Sequence, residues 1–66
     1  MTYQIDLQAL ALGNPDHLQR FYLSWVNEFM TSESMAKYYG LKLESVIRFI
    51  DQGHVIHERR LTMNAD

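Results

Sequence analysis

The sequence predicts an all-α domain of three main helices, preceded by a short N-terminal turn or helix and followed by an extended C-terminal tail. Three observations carry that reading. Asn14-Pro15-Asp16 is a helix start, and an apolar stripe at helical spacing follows it. Ala36 and Gly40 stand four residues apart between two short apolar runs, the spacing of a tight turn between packed helices. Leu43, Val46, Ile47 and Ile50 then recur at three- and four-residue steps, and Gly53 follows.

Length and composition set the scale. A chain of 66 residues makes one domain, taken as 1–66. Ordering it costs on the order of 100 kcal/mol at about 1.5 kcal/mol per residue, so the core must be efficient or shared with a partner. Apolar residues are 47% of the chain and charged residues 21%, which favours a folded domain over disorder. There is no cysteine, hence no disulfide framework and no thiolate metal site, and a cytoplasmic location is expected. No apolar run nears the roughly 20 residues that span a bilayer. The start, MTYQIDLQALAL, lacks a positive region and carries Asp6, so it is not expected to be a secretory signal. The net charge of −2 counts against a nucleic-acid binder, although a local basic patch suffices for one.

Taken in order, residues 1–13 admit two readings. Tyr3, Ile5 and Leu7 alternate with polar residues as in a strand, whereas Leu7, Leu10 and Ala11 have helical spacing with Asp6 to cap them and Gly13 to stop them. A brief helix or turn over residues 6–12 is preferred. The next helix is expected over about 15–30, with Leu18, Phe21, Tyr22, Trp25, Val26 and Phe29 as its apolar stripe and Gln19, Ser24, Asn27 and Glu28 mostly opposite. It should support the helices that follow. Part of its aromatic surface, Tyr22 and Trp25 above all, can also spill over toward a partner. Thr31 or Ser32 caps a short helix over 32–39, with Met35, Ala36 and Tyr39 inward, and Gly40 ends it in the left-handed conformation. The third main helix is expected over 43–52, ended by Gly53. His54 to Met63 then reads as a strand or loose tail, and Asn64 to Asp66 should fray.

With Ala36, Gly40, Leu41, Val46 and Phe49 at these offsets, residues Ser32–Gln52 resemble the helix-turn-helix of small bacterial and phage DNA-binding regulators. The resemblance covers about a third of the chain. It implies that the exposed early residues of the 43–52 helix enter the major groove. On that basis Lys42, Glu44, Ser45 and Arg48 are candidate DNA contacts, Lys42 and Arg48 for guanine or phosphate and Glu44 for cytosine. Arg59 and Arg60, the only basic cluster, would track the backbone from the tail. A looser resemblance links Tyr22-Leu23-Ser24-Trp25-Val26-Asn27-Glu28-Phe29-Met30-Thr31, with Ala36, Tyr38, Tyr39 and Gly40, to uncharacterised small bacterial and prophage proteins that share a W-x-N-x-F-[LM]-T run. It implies a mobile-element origin and no activity.

Charge and greasiness pull the other way. Ser32 to Gln52 carries Lys37, Lys42 and Arg48 against Glu33, Glu44 and Asp51, which sums to zero. Leu43 and Ile47, if they lie on the reading face, make it apolar, which more often marks a partner than a groove. Catalysis is not expected. His54 and His57, with Glu58 after them, lack a third metal ligand, and the three glycines are isolated, so neither a metal nor another cofactor is anticipated. The leading expectation is a small cytoplasmic DNA-binding transcription regulator that self-associates as a homodimer. The alternative is an interaction module of the same fold that binds a host or phage protein through Leu43, Ile47, Tyr22 and Trp25 without touching DNA.

Overall fold

The computed structural model describes residues 4–29 and 31–64. They form four helices: α1 (Leu7–Ala11), α2 (Pro15–Glu28), α3 (Ser32–Tyr39) and α4 (Leu43–Asn64). No strand occurs among the described residues.

Local capping accounts for most helix starts. Asp6 Oδ1 accepts from the backbone N–H groups of Gln8 and Ala9, satisfying two donors that a helix start leaves open. Asn14 Oδ1 does the same for Asp16 and His17, at 3.0 and 3.2 Å, with Pro15 in the first helical position. Thr31 rather than Ser32 caps α3, accepting from the Ser34 N–H at 3.1 Å. Gly40 ends α3 at φ 67°, and the Leu41 N–H then reaches back to the Ala36 carbonyl at 2.9 Å, which closes a Schellman turn. The helix expected over residues 6–12 is α1. The strand alternative there rested partly on Tyr3, which lies outside the described residues, as do Met30 and the final two residues.

The core is a single cluster: Leu10 of α1, Leu18 and Phe21 of α2, Met35 and Ala36 of α3, and Val46 and Ile50 of α4. Full burial of a side chain of that size contributes about 1.5–3 kcal/mol. Phe21 is the hub. It meets Tyr39 at a centroid distance of 5.6 Å and Phe49 edge-on at 5.8 Å, so α2, α3 and α4 converge on one ring. α2 and α4 run antiparallel, since Asp16 meets Arg60 at one end while Phe21 meets Phe49 toward the other.

Several expectations need correction. α4 does not end at Gln52, and no extended tail follows, because the helix continues through Gly53 to Asn64. Gly53 is buried inside it. A Cβ placed there would lie 2.7 Å from Tyr22 Cβ and closer still to the Leu18 carbonyl oxygen. The glycine is therefore the point where α2 and α4 cross with backbones almost touching, and its poor helix propensity, about 1 kcal/mol relative to alanine, is offset by that packing. Ser24, expected on the outer side of α2, is fully buried. It stands three residues from Phe21, on the same face, and its hydroxyl is satisfied by donating to Glu28 Oε2 at 3.3 Å. Leu43 and Ile47 are exposed, unlike the buried Val46 and Ile50, and so is Val26 on α2.

Candidate functional site

The residues that the sequence singled out lie on and around α4. At the start of this helix the Gly40-Leu41-Lys42 turn sets its direction. Lys42, Glu44 and Arg48 are exposed there, and Ser45 is half-buried. No ion pair holds Lys42 or Arg48 among the described residues. Leu43 and Ile47 are 40% and 45% exposed, so the first two turns of α4 present a mixed apolar and charged surface. A shallow groove beside this end is lined by the cap residue Thr31, by Glu33, Ser34 and Lys37 of α3, and by Leu41 and Leu43.

Beyond Gly53 the picture changes. Arg59 is exposed, while Arg60 is half-buried and committed inside the fold. The Arg60 guanidinium pairs with Asp16 at 2.9 Å and also donates to the Gln19 Oε1 atom. That second bond orients the Gln19 amide, whose Nε2 then donates to His57 Nδ1 at 3.1 Å and assigns the His57 proton to Nε2. The chain Asp16–Arg60–Gln19–His57 thus ties the first turns of α2 to the last turns of α4. His54 stacks on Tyr22, centroids 5.0 Å apart and planes 19° apart, and bonds Glu58 at 3.1 Å.

Of the four residues expected to form an interaction surface, Tyr22 and Trp25 touch each other, with centroids 6.4 Å apart. Both are half-buried, and Trp25 Nε1 is buried without a hydrogen-bond partner among the described residues. Leu43 and Ile47 are on the same side of α4 as His54, the residue on which Tyr22 stacks. The sequence reading missed His54, His57, Gln19 and Asp16 as partners of this region. The signal was present: Leu43, Ile47, Ile50, His54, His57 and Leu61 continue one three-and-four spacing straight past Gly53.

A second polar feature sits under α3. Burial raises the Tyr39 phenol above its usual pKa of 10.0, a hydrogen bond with Ser24 opposes the rise, and the nearby Tyr38 and Glu28 add to it. The buried Ser24 hydroxyl donates to the carboxylate of Glu28, which is exposed. No group of three or more His, Asp or Glu residues able to hold a metal ion occurs among the described residues. Among the described residues no helix is long and apolar enough to cross a membrane. Compared with known families, with curated proteins and with solved structures, the chain finds no match.

Proposed function

We propose that this chain is a small DNA-binding regulator, a helix-turn-helix protein that reads duplex DNA through the first half of α4. The observation that carries the reading is the packing register of α3 and α4. Met35, Ala36 and Val46 are buried, Tyr39, Leu41 and Phe49 pack against them, and Gly40 takes the left-handed angle between. That register turns Lys42, Glu44 and Arg48 outward on one exposed helix start, the placement a major groove requires. The test is an NMR titration of the labelled protein with a mixed-sequence duplex at low and then moderate salt. Shifts concentrated in Lys42–Asp51 that fade as salt rises are expected. A spectrum that does not move at low salt overturns the reading.

A second reading keeps the fold and changes the partner. It is favoured by the exposure of Leu43 and Ile47 on the side of α4 where His54 stacks on Tyr22, an apolar edge suited to a second copy of the chain or to another protein. Polar replacement of Leu43 and Ile47 separates the two. Loss of self-association with unchanged DNA titration supports this edge as a dimer contact, and loss of neither removes it.

A further inference from the structure

We infer that α4 engages one strand of duplex DNA along its whole length, through a phosphate-binding edge formed by Ser45, Arg48, Gln52 and Arg59. This inference rests on the DNA-binding reading above and extends it into the half of α4 beyond Gly53.

The argument starts from helix geometry. At about 100° per residue, the outward surface of α4 divides into two edges roughly 130° apart. Leu43, Ile47, Asp51, His54, Glu58 and Leu61 follow one another at steps of three and four on the first edge, which contains no lysine or arginine. Ser45, Arg48, Gln52, Val55, Arg59 and Met63 follow at the same steps on the second, which contains no aspartate or glutamate. Glu44 stands on the divide. The helix has equal numbers of carboxylates and arginines, yet they are sorted by side, so a helix with no net charge still offers a basic edge to an anion.

The composition of that edge suits phosphate oxygens. Arginine, serine and glutamine side chains are among the common donors to a nucleic-acid backbone. Arg48 and Arg59 are exposed and in no ion pair among the described residues, whereas Arg60 is spent on Asp16 and Gln19. Eleven residues separate Arg48 from Arg59, so their side chains leave the helix within about 20° of one another and roughly 16 Å apart. Both arginines therefore leave α4 on the same side, far enough apart to reach separate phosphates of one strand. The first edge, with Asp51 and Glu58, excludes the opposite approach. A helix sunk in the groove over its full length would bring these carboxylates to the second backbone. Only the first turns of α4 therefore enter the groove, and the rest follows one wall of it.

The test is the salt dependence of binding to a fluorescent mixed-sequence duplex, read by anisotropy for the full chain and three variants. Arg48→Gln and Arg59→Gln are each expected to reduce the slope of log Kobs against log salt by about 0.9, one phosphate contact apiece. Arg20→Gln is the control, because Arg20 is exposed on the face of α2 opposite the α4 contact, and it should leave the slope unchanged. An Arg59→Gln slope equal to wild type, with Arg48→Gln reduced, overturns the extended edge and leaves the regulator reading intact. Equal losses in all three variants overturn it in favour of diffuse attraction. Absence of any binding by the unaltered chain at low salt overturns both.

Discussion

Two places where the chain depends on a glycine work by different physics. At Gly40, between α3 and α4, the backbone sits at φ 67° and an added Cβ would meet nothing within 4 Å. The space is open, and the constraint is the backbone angle, which an L-residue adopts at a cost of about 1–2 kcal/mol. At Gly53, inside α4, the backbone is ordinary helix and the constraint is space, because Leu18 and Tyr22 of α2 occupy the position of the missing side chain. The first glycine steers a turn that local chain geometry demands. The second lets two helices meet that are far apart in sequence. The difference teaches where stability resides: the turn positions α4 relative to α3, while the Gly53 crossing holds α4 along its length to the most extensive partner it has.

The sharpest way to break the comparison is Gly53→Ala. Its Cβ has no room, so α2 must move off α4, and overpacking of this kind costs about 1–3 kcal/mol or more. At roughly 4–8 °C per kcal/mol for a domain of this size, thermal unfolding followed by circular dichroism should shift down by on the order of 10 °C. A variant as stable as the parent would mean that the two backbones do not approach as described. Gly40→Ala should cost less, about 1–2 kcal/mol, and D-alanine at the same position, which favours positive φ, should recover most of it in a synthetic chain. If both enantiomers destabilise equally, sterics and not the angle governs the turn. The smallest effect is expected at Tyr39. Its phenol pKa is raised in the folded state, so the unfolded chain loses this proton first and stability falls as pH climbs past 10 toward the folded-state value. Tyr39→Phe should remove that part of the alkaline loss, and an unchanged pH profile would separate the Ser24–Tyr39 network from folding stability.

The candidate site divides along the same line. In its first half, Lys42 to Arg48, the turn and the inward Val46 were legible because they depend on local offsets, a small residue and a glycine four later, whereas Leu43 and Ile47 were expected on the same face as Val46 and are exposed. Its second half was read as a tail because Gly53 has the same appearance in sequence as Gly40. Arg59 and Arg60, adjacent in the chain and paired in the sequence reading, have different fates in the fold. One is in solvent and the other is tied to Asp16 and Gln19 on a helix more than forty residues earlier. Nothing local to the two arginines distinguishes them.

By itself the sequence determined the helical class, the capped start at Asn14 and the left-handed stop at Gly40, because each depends on a few neighbouring residues and their backbone angles. Tertiary structure decided that α4 runs on to Asn64, that Ser24 goes inside, and that Leu43 and Ile47 stay outside. These outcomes follow from contact between α2 and α4, where burial of a whole helix face outweighs the propensity of any single residue.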